Sequence, residues 1–133
     1  MRIIVDTGPL VALLNRRDTH HRWVTEVLAG LDLPLWTCEA VLTEAAQLTD
    51  KPVVIMAMVA DGALKIGLDV EDEAEALKRL LTRYEKRMAL ADACVVRMSE
   101  LARECRVFTL DRTDFSVYRR NGRDVIPLIA PDR

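Results

Sequence analysis

The chain has 133 residues, and half of them are hydrophobic, which suits one domain with a real core and excludes a disordered chain. Its 21 acidic and 19 basic residues give a net charge of -2. This balance argues against a domain that coats duplex DNA by bulk positive charge, but not against an enzyme that handles nucleic acid through metal ions. We expect one domain over residues 1–133, because no repeat, linker or low-complexity segment interrupts it.

The three cysteines are widely spaced, and none belongs to a Cys-x-x-Cys pair: Cys38, Cys94 and Cys105. This pattern does not suggest a disulfide framework, so reduced and mostly buried thiols are expected. The apolar run after Met1 is too short for a signal peptide, and no stretch is long enough to cross a bilayer. We therefore expect a cytoplasmic protein without membrane contact.

Strand-like and helix-like segments alternate along the chain. Helices are predicted over residues 10–15, 18–28, 38–48, 52–62, 71–86 and 89–103, the third of them capped by Thr37. Strands are predicted over residues 3–5, 33–36, 64–66 and 106–110, with two more, 116–119 and 125–129, around the turn signal Asn121-Gly122. The alternation predicts an α/β domain with a mostly parallel sheet, in which ligands bind beyond the carboxyl ends of the strands.

Several carboxylates lie where that rule places a ligand site. Asp6 directly follows the first strand, and Asp111 directly follows the fourth, with Asp114 one short turn later. Glu44 and Asp92 are predicted on apolar helix faces, where an ionised carboxylate costs roughly several kcal/mol unless something positive meets it. Few basic residues lie near them in sequence, so a bound cation would resolve the problem for all of these acids together.

Each acid also has a plainer explanation. Asp6 or Asp111 could cap a helix or turn, Glu44 could lie at the rim of the core or pair with a basic residue, and Asp92 could cap a helix that starts later. These plainer explanations would have to hold for all four acids independently. The four acids taken together therefore favour a metal site. Oxygen-only ligands suit Mg²⁺, and Mn²⁺ accepts similar ones.

The chain resembles the PIN-domain family, and within it the VapC-type toxins of bacterial and archaeal toxin–antitoxin systems. The resemblance spans essentially the whole chain and rests on four segments: 5–10 (VDTGPL), Glu44, 90–93 (LADA) and 109–115 (TLDRTDF). It implies a three-layer α/β/α sandwich with a mostly parallel central sheet.

The resemblance also implies an acidic pocket. Its members are Asp6 and Asp92 as principal metal ligands, Glu44 and Asp111 completing the set, and Asp114 as an alternative or fifth ligand. Many relatives carry Asn where Asp111 stands, so the number of metal ions stays open. Thr7 matches a hydroxyl residue that follows the first acid in the family, and Thr109 matches a hydroxyl residue that supports the pocket.

The implied activity is that of a magnesium-dependent endoribonuclease that cuts single-stranded RNA without a covalent intermediate, with Mn²⁺ as a substitute. The implied partners are a small antitoxin of the VapB type and a second copy of the chain in a homodimer. Four arginines after the last acid motif are candidates for attracting RNA, a solvated basic face being the alternative: Arg112, Arg119, Arg120 and Arg123.

Two other functions remain open. A catalytically inactive PIN scaffold kept for protein binding would predict the loss of at least one acid, and all are present. A magnesium-dependent phosphatase or phosphotransferase with Asp6 as nucleophile would need a second Asp two residues later, where Gly8 stands.

One predicted helix stands out because it is apolar all round. It is opened by Pro52. The apolar residues suspected of meeting a partner are Leu10 and Leu13 in the first helix and Val53, Val54, Ile55, Met56 and Met58 in this one. Full burial is the expected arrangement, and a side that meets a partner is the alternative.

Overall fold

A five-stranded parallel sheet runs through the protein, whose structure is a computed structural model describing residues 1–132. Arg133, the last residue of the predicted domain, lies outside the described residues. The strands are β1 (Arg2–Val5), β2 (Leu35–Thr37), β3 (Leu64–Ile66), β4 (Cys105–Phe108), β5 (Arg119–Arg120), β6 (Asp124–Val125) and β7 (Leu128–Ile129). The helices are α1 (Thr7–Leu14), α2 (His21–Ala29), α3 (Glu39–Thr49), α4 (Pro52–Ala60), α5 (Ala74–Arg83), α6 (Leu90–Leu101) and α7 (Arg112–Phe115).

The order of strands in the sheet is β3-β2-β1-β4-β7, and every neighbouring pair is parallel. The central strands are short β-branched and aromatic runs that lie fully inside, as Ile4, Val5 and Val107 show with no exposed surface. Strands buried on both faces require helices on both sides, and helices flank the sheet. The predicted α/β architecture is confirmed, and the carboxyl ends of β1 and β4 lie side by side at one edge.

Helix α1 begins three residues earlier than predicted. Pro9 lies in its first turn, where a proline loses no intrahelical hydrogen bond. The expected cap of α3 is also wrong: Cys38 occupies the N-cap position, while Thr37 ends β2 and donates its hydroxyl to the Val5 carbonyl at 3.0 Å.

The C-terminal segment differs most from the prediction. A short helix, α7, follows β4, and β5 and β6 form a small antiparallel hairpin around Asn121 and Gly122, both with positive φ. The predicted strand over residues 125–129 splits into β6 and β7, and Pro127 lies between them because it has no N–H to donate to a ladder. Strand β7 then pairs with β4.

Helix α4 is not fully buried. Ile55, like Leu10 in α1, is 1% exposed, so neither is available to a partner, whereas Val53 is 81% and Met56 50% exposed. One side of the helix therefore meets the core and the other carries an exposed apolar face, so the expected full burial is wrong. In the described part of the chain, no helix combines the length and apolar character needed to span a membrane.

Candidate metal-binding active site

Asp6 lies at the junction of β1 and α1, against the end of β4. Its backbone N–H donates to the Phe108 carbonyl at 2.9 Å, which continues the β1–β4 ladder by one residue. Its side chain is directed inward, since the residue is only 7% exposed, and Oδ2 accepts a 2.8 Å hydrogen bond from the Thr109 hydroxyl. The parallel register therefore fixes a buried carboxylate at the carboxyl edge of the sheet.

Asp92 occupies the third position of α6 and is partly buried. Its Oδ2 accepts a 2.9 Å hydrogen bond from the hydroxyl of Tyr118 and lies 3.4 Å from the backbone nitrogen of Ala89. Asp92 is therefore not the N-cap of a later-starting helix, as the plainer explanation suggested, because α6 begins at Leu90 and its N-cap is Ala89. The same geometry directs its carboxylate toward the other acids.

Asp111 and Asp114 follow β4 in one short turn. The backbone N–H of Asp111 donates to the Thr109 hydroxyl at 3.0 Å, so this threonine touches both Asp6 and the acid after β4. Asp111 Oδ1 then caps α7 by accepting from the Asp114 N–H at 2.9 Å. Asp114 itself accepts a 2.9 Å bond from Arg87 Nε.

Glu44 reaches the group through Thr7, whose hydroxyl donates to Oε1 at 2.8 Å. Thr7 is 8% exposed and follows Asp6 directly, so the start of α1 carries one acid and orients a second. The helix face around Glu44 is less apolar in practice than the sequence suggests, because Leu48 one turn later is 70% exposed.

The carboxylates of Asp6, Asp92 and Asp111 share one electrostatic environment. Burial raises the pKa of Asp6 to about 6, against hydrogen bonds from the Thr7 amide and the Thr109 hydroxyl, and the charges of Asp92 and Asp111 raise it further. Burial also raises the pKa of Asp92 and of Asp111. Neighbouring acids push the pKa of each higher, so the site carries negative charge that the surrounding groups do not balance.

The donor chemistry fits a hard divalent cation, although a closed ligand cage is not preformed. Among residues 1–132, no group of three or more His, Cys, Asp or Glu side chains is arranged so that it could hold a metal ion. Mg²⁺ is usually bound through one or two carboxylates and keeps several waters, so a pair such as Asp6 and Asp92 meets its requirement.

The arginines after the last acid motif are mostly hydrogen-bonded to backbone carbonyls. Arg112 donates to carbonyls of residues 130–131, Arg119 to carbonyls of residues 116–118, Arg120 to the Ser99 and Ala102 carbonyls, and Arg123 is exposed near the hairpin turn. Arg120 therefore caps the C-terminal end of α6, opposite the end that carries Asp92. Its role in RNA binding stays a prediction.

Two residues at the site were missed from the sequence. Tyr118 is fully buried, and its hydroxyl holds Asp92 across 26 residues of chain. Arg87 forms the ion pair with Asp114 across 27 residues. The position of Arg87 five residues before Asp92 could have indicated that it belongs to the site. Nothing in the sequence indicated this for Tyr118, which lay inside a predicted strand.

The fold and the carboxylate edge define the class of protein. The PIN-domain family model matches residues 3–121, and the chain belongs to this family. The resemblance drawn from the acid motifs is thus confirmed.

Two relatives from Mycobacterium tuberculosis are similar over most of their length. Ribonuclease VapC26 is 28% identical over 127 residues, which cover 90% of this chain and 94% of that protein. The crystal structure of VapC20, described as a toxin that cleaves the sarcin–ricin loop, matches with a TM-score of 0.69 and 20% identity, over 79% of this chain and 86% of that one. The match to VapC20 supports the same fold, and the match to VapC26 supports the VapC-type branch of the family.

Proposed function

We propose that the protein is a metal-dependent endoribonuclease and acts as the toxin of a VapBC-type toxin–antitoxin pair. The observation that carries this proposal is the convergence of Asp6, Asp92 and Asp111 at the carboxyl edge, where burial and the charges of neighbouring acids raise the pKa of each carboxyl group. Perturbed acids in such a position are typical of functional sites. The similarity to a protein named as a ribonuclease supports the same activity.

Asp6 and Asp92 are proposed to hold the cation, with Glu44 and Asp111 completing the set and Asp114 turned toward Arg87. Bound Mg²⁺ or Mn²⁺ would supply Lewis acidity toward a phosphodiester and a water of lowered pKa. The chain supplies the orientation: Thr109 holds one oxygen of Asp6, and Tyr118 holds one oxygen of Asp92.

Single-stranded RNA is the proposed substrate class. Asp6 is almost fully buried, so a phosphodiester must bend inward to reach it, and an unpaired strand does this more readily than a helix. The sarcin–ricin loop is the target printed for VapC20 and is not carried over to this chain.

The toxin role brings two proposed partners, a small antitoxin of the VapB type and a second copy of the chain. The exposed face of α4, with Val53, Val54 and Met56, is a candidate contact surface. An apolar cleft of about 180 Å³ lies next to it, lined partly by Met58. Three buried free thiols agree with the proposed cytoplasmic location.

The activity is tested by incubating the purified protein with a mixed RNA pool in Mg²⁺, in Mn²⁺ and in EDTA. The variants Asp6→Asn and Asp92→Asn run beside the wild type. The proposal expects cleavage that requires metal and disappears in both variants. Cleavage that persists in EDTA would contradict it, and absence of both cleavage and metal binding would favour the inactive scaffold.

A further inference from the structure

A site made of carboxylates repels the RNA backbone that it must hold. Besides burial, the charges of neighbouring acids raise the pKa of Asp6, Asp92 and Asp111, so the field at this edge is negative. Binding of single-stranded RNA usually needs cations that track its phosphates. Three of the four arginines expected for this role donate to backbone carbonyls instead: Arg112, Arg119 and Arg120. The fourth, Arg123, is exposed near the hairpin turn.

Arg87 lies directly at the acidic edge. Its Nε donates to Asp114 Oδ1 at 2.9 Å, and the N–H of that same aspartate caps onto Asp111. Its carbonyl oxygen lies 3.5 Å from the Tyr118 hydroxyl, which also holds Asp92. One arginine is thus anchored beside two members of the site, and its charge counters the raised pKa of Asp111.

The ion pair of Arg87 is open to exchange. The side chains of Arg87 and Asp114 are 43% and 29% exposed, and pairs of this kind contribute about 0–1 kcal/mol because water screens them. A phosphate offers the guanidinium two oxygens in a geometry that it matches well. An incoming phosphodiester can therefore replace the carboxylate at little cost.

We propose that Arg87 is the phosphate-binding cation of this site, and that Asp114 holds its guanidinium at the rim until the RNA backbone takes it over. The inference rests on the proposed ribonuclease function for the identity of the ligand. It also assigns different roles to the two acids after β4, since Asp111 faces the metal-binding acids and Asp114 faces the arginine.

The test measures the affinity of a fluorescent mixed-sequence single-stranded oligoribonucleotide by anisotropy, over a range of salt concentrations, in EDTA so that no cleavage follows. Arg87→Ala is expected to weaken binding about tenfold, the order expected for loss of a hydrogen bond between charged groups. The slope of log affinity against log salt should fall by about 0.7, the value for one phosphate contact on a single strand. Arg87→Lys should keep the slope and recover part of the affinity.

Two matched variants separate this role from a structural one. Arg103→Ala removes the same charge from an exposed position in the loop that enters β4 at the opposite edge of the sheet, and it should leave affinity and slope unchanged. Asp114→Asn removes the same ion pair but frees the guanidinium, so it should tighten binding by up to about fivefold.

Equal weakening in Arg87→Ala and Asp114→Asn would overturn the inference, because the intact pair rather than the guanidinium would then support RNA binding. An unchanged salt slope in Arg87→Ala would overturn it as well. A cleavage assay on the wild type keeps the two proposals apart: RNA binding that depends on Arg87, with no cleavage in Mg²⁺ or Mn²⁺, sinks the nuclease and supports the phosphate site.

Discussion

Helix α6 carries two sets of charged groups. One is a salt-bridge cluster around Arg97, and the other is Asp92 at the proposed metal site. In its C-terminal half, Arg97 contacts Glu73 at 2.6 Å and Glu100 at 3.2 Å, so two carboxylates share one guanidinium within the protein. At its first turn, Asp92 is met by a neutral tyrosine hydroxyl and by the field of Asp111. Glu73 and Glu100 therefore have a cation inside the fold, whereas we propose that Asp6 and Asp92 take theirs from a bound metal ion.

The largest expected effect compares two acids on this helix. Asp92→Asn should lower kcat/KM for RNA at least about 100-fold, the scale for loss of a group that stabilises transition-state charge. Glu100→Gln neutralises a carboxylate of the salt-bridge cluster and should leave kcat/KM at the wild-type level. Steady-state cleavage of one RNA by both variants measures the difference in kcat/KM. Equal losses in the two variants would mean that Asp92 is no more important for cleavage than Glu100.

The next effect concerns the stability of the metal-free protein. Folding raises the pKa of Asp6 from 3.8 to about 6, which corresponds to about 3 kcal/mol. The folded state holds this proton more tightly than the unfolded chain. The contribution of Asp6 is therefore most favourable below about pH 4, is lost as pH rises toward about 6, and stays at its unfavourable limit above that.

Asp6→Asn removes the ionised group and should stabilise the protein by up to about 3 kcal/mol near pH 8, with little change near pH 4. Urea unfolding in EDTA at both pH values checks this. Added Mg²⁺ should stabilise the wild type and not the variant. Destabilisation by the substitution near pH 8 would show that the carboxylate is compensated inside the fold.

In the salt-bridge cluster of Arg97, Glu73 and Glu100, removal of a charge should lower stability and leave activity unchanged. Arg97→Met leaves Glu73 and Glu100 facing each other without their cation and should cost about 2 kcal/mol, discounted because the arginine is 25% exposed. Cleavage per folded molecule should not change. The measurement is urea unfolding together with kcat at a temperature where the variant is folded, and a loss of kcat would link this cluster to the site.

The smallest expected effect tests Tyr118 as a positioning residue for Asp92. Tyr118→Phe should weaken Mn²⁺ binding about tenfold, as loss of a partner behind a metal ligand does, with a stability loss of about 1 kcal/mol. Tyr84→Phe is the matched control, because its hydroxyl accepts from the Arg119 N–H at 3.0 Å and touches no acid. Equal metal affinities in the two variants would reduce Tyr118 to a packing role.

The sequence predicted the elements that depend on local pattern. Strand β3 was predicted with its observed bounds, and the four acids stood out because apolar neighbours or strand ends surround them. The exposed face of α4 was not predictable, because a uniformly apolar helix carries no periodicity that says which side meets the core.

Contacts between distant segments were beyond sequence reasoning. The bonds from Tyr118 to Asp92 and from Arg87 to Asp114 depend on how the C-terminal segment folds back across α6. The sequence Asn121-Gly122 predicted the hairpin turn. It did not predict that Tyr118, just before the hairpin, would donate a hydrogen bond to Asp92.

We propose that the acids at the carboxyl edge hold a divalent cation. Calorimetric titration of Mg²⁺ and of Mn²⁺ into the wild type, Glu100→Gln and the Asp6→Asn/Asp92→Asn double variant measures this binding. We expect saturable binding in the wild type and in Glu100→Gln, and its loss in the double variant. Binding of equal strength in the double variant, or none in the wild type, would mean that Asp6 and Asp92 do not hold a cation.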